Sequence, residues 1–324
     1  EGFALKKDTS IVYRNLSFDY MNLNRLEEAK SILDDAQARK LDAALLTNYY
    51  QLAFLRNDLK EMERCVTAAQ GKSEDEPAML SSQGDTEGFH GRLSKAREFT
   101  RQAVAAASSS GDKETAAGAE VTEALREAEF GNNNDARRHA ASALLLASTR
   151  NVQVAAALAF ARAGDVRRAQ GMVAALQQRF PRDTLLVRYW LPSIRAAIAI
   201  SRGNAADAVG GLQTTAAYEL GGGVPPFSSG ATMYPVYLRG QAFLQMKQWR
   251  DAAAEFQKII DHRGLVWNFP LASLAYLQLG RALASSNPAA ARDAYQHFLT
   301  LWQNADAPIF SRAKSEYARL PTSS

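Results

Sequence analysis

The sequence predicts an all-α fold: a right-handed α-α superhelix of about eight helix-turn-helix repeats with a C-terminal capping helix. Three observations predict it. A short phrase, a polar turn followed by a charged pair and alanine, recurs as RLEEAK at Arg25 to Lys30, RLSKAR at Arg92 to Arg97, DVRRAQ at Asp165 to Gln170 and WRDAAAEF at Trp249 to Phe256. It returns at a period near 34 residues, the signature of stacked helical hairpins. Between the phrases, apolar residues fall three and four apart, which stacks them on one stripe of a helix.

The small residue after each turn marks the second helix of a unit, because it lets the two helices approach closely. The expected markers are Ala29, Glu63, Ala96, Ala136, Ala169, Ala208, Ala252 and Ala291, with Glu63 standing where alanine is usual. In unit one Tyr13, Leu16 and Tyr20 share a face, Asn22 to Asn24 turn, and Ala29, Leu33 and Ala36 continue. Unit two places Tyr50 and Phe54 before Arg56-Asn57-Asp58. Unit three turns at His90-Gly91 and ends in the helix-breaking stretch Ser108 to Asp112. Unit four runs from Lys113 to Phe130 and turns at Gly131 to Asn134. Unit five turns at Ala163-Gly164-Asp165 and is closed by Pro181, which cannot continue a helix. Unit six has a long first helix, Asp183 to Ser201, in which Pro192 predicts a kink or a late helix start. Units seven and eight follow, with turns near Lys247 and at Ser285 to Pro288, and Ile309 to Leu320 reads as the capping helix with exposed Arg312, Lys314 and Arg319. The run GGGVPPFSSGAT from Gly221 to Thr232 cannot form a regular helix and is expected to be a loop. The organisation is therefore residues 1–220 for units one to six, 221–232 for the Gly/Pro loop, and 233–324 for units seven and eight with the cap, in one continuous solenoid.

Composition narrows the function. The 324 residues carry a formal charge of +4, and Lys and Arg are scattered among Asp and Glu without a stripe that could follow a phosphate backbone, which argues against nucleic acid. No apolar run approaches the ~18 residues of a membrane helix, so a soluble segment without membrane insertion is expected. The chain begins at Glu1 without a basic n-region or apolar h-region, as expected of a piece of a longer protein. Cys65 is alone and expected to be a buried structural thiol. His90, His139, His262 and His297 show no metal-ligand spacing, so neither a metal nor a cofactor is expected. Glu120, Glu123, Glu127 and Glu129 crowd one helix and read as a solvated face paired with Arg126, Arg137 and Arg138. Asp261-His262-Arg263-Gly264 reads as a helix end, with His262 and Arg263 facing the negative dipole and Gly264 as left-handed cap.

The markers resemble the tetratricopeptide (TPR) pattern, best in unit one (Tyr13, Leu16, Tyr20, Ala29), unit five (Phe160, Ala169, Pro181) and unit seven (Gly240, Phe243, Ala252, Phe256). The carboxyl-terminal third, with YPVYLRGQAFLQ at Tyr234 to Gln245, AAAEFQKIIDHRG at Ala252 to Gly264 and AYQHFLTLWQNAD at Ala294 to Asp306, resembles the TPR tails of acidobacterial serine/threonine protein kinases. Similar tails follow winged-helix regulators. The resemblance implies a non-catalytic protein-interaction or sensor region of a bacterial signalling protein, attached to a membrane-anchored parent in the kinase case. No kinase signature is present in this chain, so it is not expected to be an enzyme.

In the resembled fold the first helix of each unit lines a concave peptide groove. Carrying those positions over gives Arg14, Phe18 and Met21, then Asn48, Leu52 and Leu55, then Tyr234, Tyr237, Gln241 and Leu244. Arg14 and Asn48 stand at the positions of a carboxylate clamp, while Phe18 and Leu52 replace its asparagines. The implied partner is a protein or peptide. As an oligomeric scaffold, the alternative, the chain would bury Trp249, Trp267 and Trp302 against another copy.

Overall fold

A computed structural model describes residues 9–221 and 232–321. Apart from its two ends, the Gly221 to Thr232 segment lies outside them. Helical hairpins follow one another in order: α1 (Ser10–Asn22) with α2 (Leu26–Ala38), α3 (Leu46–Arg56) with α4 (Leu59–Ala69), α5 (Glu76–Phe89) with α6 (Leu93–Ser109), and α7 (Lys113–Glu129) with α8 (Asn133–Leu146). Next come α9 (Arg150–Arg162) with α10 (Val166–Arg179), α11 (Leu191–Ser201) with α12 (Ala205–Gly211), and α13 (Tyr234–Gln245) with α14 (Trp249–Asp261). A one-turn helix α15 (Arg263–Val266) precedes the last pair, α16 (Leu271–Leu283) with α17 (Pro288–Leu301), and α18 (Ile309–Ala318) ends the array. The expected all-α superhelix is what the chain forms.

One piece of backbone chemistry sets the hairpin register. In the first seven hairpins the turn contains a left-handed residue: Asn24, Asn57, Gly91, Gly131, Gly164, Gly203 or Lys247. The next amide reaches back to close a Schellman cap, as from Arg25 N to Tyr20 O and from Asp165 N to Phe160 O, both 2.8 Å. Counting on from each left-handed residue reaches Ala29, Met62, Ala96, Ala136, Ala169, Ala208 and Ala252, all buried. Met62, not Glu63, is thus the marker of unit two. Asn57 fixes the register, α4 buries Met62, Cys65 and Ala69, and Glu63 faces solvent. The eighth turn works differently: Asn287 accepts from Ala290 N at 3.2 Å, and Pro288 opens α17. In unit six the helix widens into a π turn over Leu186–Trp190 directly before Pro192, whose missing N–H removes one backbone bond.

The concave side differs along the chain. Helix α1 buries only Tyr13, Ser17 and Met21. By contrast α9 buries every residue from Val154 to Ala161, and α13 every residue from Tyr234 to Gly240. Both faces of these later first helices are packed, against their own second helices and against the helices of the neighbouring units.

The end of the chain returns to close the superhelix. Asn24 donates to Asp261 O and accepts from Gly264 N, each at 2.8 Å, and Arg263 donates to Leu55 O at 2.9 Å. The Phe18 and Trp267 rings stack at 4.8 Å. Asn268 donates to Ser82 O at 2.8 Å and Thr86 Oγ1 at 3.0 Å. Trp302 Nε1 donates to Phe89 O at 2.9 Å, and Asp306 caps the N-terminus of α6 by accepting from Leu93 N and Ser94 N. These contacts correct three expectations. Gly264 is not a left-handed cap; it lies so close to Met21 that a Cβ there would meet the Met21 carbonyl oxygen at 1.9 Å. The left-handed residue is Trp267, with φ 51°. Trp267 and Trp302 are buried within their own chain, at 6% and 0% exposure, and so are not exposed surfaces for a second copy.

The glutamates of α7 are a further correction. Glu123, Glu127 and Glu129 are buried, because α7 is covered on both faces. Each has an arginine partner: Glu123 with Arg126 at 3.2 Å, Glu127 with Arg97, and Glu129 with Arg162 at 2.7 Å. Charges are buried only when paired in this way.

Candidate functional site

A concavity of about 580 Å³ lies on the first helices of units one to four. Its volume falls in the ~300–1,000 Å³ range of ligand sites. Arg14 and Phe18 of α1, Asn48 and Gln51 of α3, Ser81, Ser82 and Asp85 of α5, and Thr115 and Thr122 of α7 face it. Successive helices contribute at nearly the repeat spacing, so Arg14, Asn48 and Ser82 form one row and Thr47, Ser81 and Thr115 another. Trp267, brought back by the closure, forms the end of the cavity and stacks on Phe18.

Three of the groove residues expected from sequence, Arg14, Phe18 and Asn48, meet here. Met21, Leu52 and Leu55 are instead buried in the core of units one to three, and the Met21 and Leu55 backbones are covered by α15. Tyr234 and Tyr237 belong to the other half, at 0% and 1% exposure, and cannot line an open wall. Tyr237 packs edge-on to Phe256 at 5.8 Å and accepts from Gln278 Nε2 at 3.2 Å, and burial raises its phenol well above the ordinary value. Gln241, half-buried on the same helix, does not line this cavity either.

A carboxylate clamp is not formed. Asn48 is buried and its amide donates to Arg14 O at 2.9 Å and Ser17 Oγ at 2.8 Å, so it braces α1 against α3. Arg14 reaches Ala44 O at 3.1 Å.

The groove walls are rich in acceptors. The Ser81 and Ser82 hydroxyls donate back to Pro77 O and Ala78 O at 3.0 Å, and Thr115 donates to Asp112 Oδ2 at 2.6 Å. Their protons are spent on the protein, which leaves oxygen lone pairs for the cavity. Asp85 is held by Arg126 at 3.5 Å behind the wall. Two buried groups lining the cavity, Gln51 Oε1 and Trp267 Nε1, have no hydrogen-bond partner among the described residues. Unpaired buried polar atoms are costly and rare.

Elsewhere the chemistry is structural. Cys65 is buried, and burial pushes its thiol up to about 12. Glu219 would be raised by burial, but hydrogen bonds from Arg239 and Lys258 outweigh this and hold its carboxyl at about 2. Among the described residues no group of three or more His, Cys, Asp or Glu is placed to hold a metal ion, and no helix is long and apolar enough to cross a membrane.

The rows on α5 and α7 were within reach of the sequence, since stepping Asn48 and Gln51 forward by one period reaches Ser82 and Asp85. Trp267 carries no such signal, because only the closure brings it there.

No protein-family model matches the chain, and no curated protein matches it. Solved structures do. A tetratricopeptide repeat protein from Parabacteroides merdae is 18% identical, over 85% of this chain and 98% of its own, with a TM-score of 0.47. The Cut9–Hcn1 hetero-tetramer of APC/C gives 12% identity over 98% of this chain and 56% of that one, at a TM-score of 0.49. A signal-transduction ATPase with a tetratricopeptide repeat sensor from Pyrococcus horikoshii gives 14% identity over 94% and 49%, at 0.40. These are resemblances of fold.

Proposed function

We propose that the chain is a non-catalytic recognition region whose groove over units one to four holds an extended protein segment. The observation that supports this most is the pair of buried, unpartnered groups, Gln51 Oε1 and Trp267 Nε1, in a cavity walled by four successive first helices. A peptide backbone brings the N–H and C=O that such a donor and acceptor need. Recognition needs no covalent step: apolar contact with Phe18 and Trp267 anchors the segment, and the polar rows set its register.

The parent we propose is a bacterial signalling protein, a serine/threonine protein kinase, on the resemblance of Tyr234 to Gln245, Ala252 to Gly264 and Ala294 to Asp306 to the tails of that family. A winged-helix regulator is the alternative, and the coding sequence upstream of Glu1 decides between them.

The groove is tested by selecting displayed random octapeptides on the protein and measuring them on two variants. Ala78→Trp places a bulky ring on an exposed position of the groove wall, and Ala174→Trp does the same in a separate surface cavity near Gln170. Loss of binding with Ala78→Trp alone is expected. Equal binding to both variants contradicts the assignment.

A further inference from the structure

The polarity of the groove identifies its ligand more closely. Its lining holds one basic side chain, Arg14, against four carboxylates, Glu74, Asp75, Asp85 and Glu114. Asp85 is answered by Arg126 from behind, and Arg14 donates one N–H to Ala44 O; at the rim Glu74, Asp75 and Glu114 outnumber it three to one, with Glu114 also accepting from Thr149 Oγ1 at 3.0 Å. Glu74 and Glu114 are exposed and Asp75 half-exposed, so an incoming cation need not be fully desolvated to reach them. Deeper in, the acceptors continue: the oxygens of Ser81, Ser82 and Thr115, whose protons point elsewhere, and Gln51 Oε1. With more acceptors than donors on its walls, the site favours a ligand rich in donors.

Arginine and lysine side chains are donors only, and arginine presents five N–H groups in a planar fork. Trp267 N–H, a buried donor without a partner among the described residues, asks in turn for an acceptor, which a peptide carbonyl supplies. Gln51 and Trp267 are only 4% and 6% exposed, so these two requirements are set inside the site and not at its solvated rim. The aromatic pair of Phe18 and Trp267 adds apolar surface and π density of the kind a guanidinium stacks on.

From these observations we infer that the groove takes a basic, extended peptide segment bearing arginine or lysine. This rests on the groove reading above and adds the chemical class of the segment. The cationic side chain meets Glu74, Asp75 and Glu114, and a backbone carbonyl accepts from Trp267 Nε1 while a donor pairs with Gln51 Oε1. The charge part of the attraction is screened by salt, so affinity falls as ionic strength rises.

The test uses the octapeptide selection together with defined competitors. Peptides displaced by Ala78→Trp are sequenced and their Arg and Lys content compared with the input library, and enrichment is expected. The triple variant Glu74→Gln/Asp75→Asn/Glu114→Gln changes only solvent-accessible charges and is expected to weaken these peptides by about tenfold. Trp267→Phe keeps the ring over Phe18 and removes the N–H; it is expected to weaken them several-fold, with the fold checked by the melting transition. Spermine, which carries charge but no carbonyl, separates a peptide from a free polycation. Enrichment of neutral or acidic peptides, or an unchanged affinity in the triple variant, overturns the basic class while the groove reading stands. Spermine competing as well as a basic peptide of equal charge overturns the peptide assignment. If no selected peptide is lost with Ala78→Trp, the groove reading itself fails.

Discussion

Units one to three and units five to eight are built from the same hairpin, yet their concave sides have opposite fates. On α1 and α5 the inner face carries serine, threonine and charged residues and borders a cavity. On α9, α13 and α16 the buried residues are mostly apolar or aromatic, with Arg239, Ser273 and Gln278 as the polar exceptions. The hairpin register, common to both, shapes the scaffold; the residues that face inward decide whether the scaffold is filled or left accessible. Unit four is the boundary: Thr115 and Thr122 face the cavity while Phe130 meets Trp302 at 5.1 Å.

If the filled half is core, truncating a side chain there costs the most. Tyr237→Ala empties a fully buried site and is expected to lower stability by about 3–5 kcal/mol in denaturant unfolding. From sequence position alone the same substitution would have been expected to weaken ligand capture with little effect on melting. A small loss of stability would return Tyr237 to an accessible wall.

The closure that separates the halves is the next target. Gly264→Ala forces a Cβ onto the Met21 carbonyl, a backbone atom that cannot swing away. A cost of about 1–3 kcal/mol is expected, together with a larger radius of gyration in solution scattering as α15 leaves α1. Unchanged scattering would show that the two ends do not depend on this contact.

A milder test comes from acid. Glu219 titrates at about 2 in the fold against an ordinary value of 4.5. A carboxyl with a lowered folded value contributes its full stability above the unfolded value and loses it as pH falls. Stability is therefore expected to decline between about pH 4.5 and 2, and Glu219→Gln should flatten that part of the profile. A variant with the same pH profile as the parent would remove Glu219 from the account. Smallest is the cap on α6: Asp306→Ala should cost about 1 kcal/mol in thermal unfolding, and no change would mean that the cap is replaced by solvent.

How legible all this was in the sequence depended on range. Local chemistry was readable: the turns at Asn24, Gly131 and Gly164, the disturbance at Pro192, and the buried Cys65 each follow from residues close by. The marker of unit two was misplaced by one position because Glu63 was read from its place in the phrase, whereas the left-handed Asn57 sets the register. Contacts between distant units left no periodic trace. Nothing near Trp267 announces that it will stack on Phe18, and Glu123, Glu127 and Glu129 read as a wet face until their partners Arg126, Arg97 and Arg162 are in place. Of the groove, the first two rungs were visible as Arg14, Phe18 and Asn48, and the end wall was not.

The contrast between the two halves can be measured with thiols. The native Cys65 is buried and, with its thiol pushed up to about 12, gives a silent background. Ser81→Cys places a thiol on the groove wall of α5, and Ser273→Cys places one on α16, where the serine is buried against Trp302 Nε1 at 3.1 Å. Alkylation under native conditions should be fast at position 81 and should require unfolding at position 273. Comparable native rates at the two positions would contradict the division into an open and a filled half.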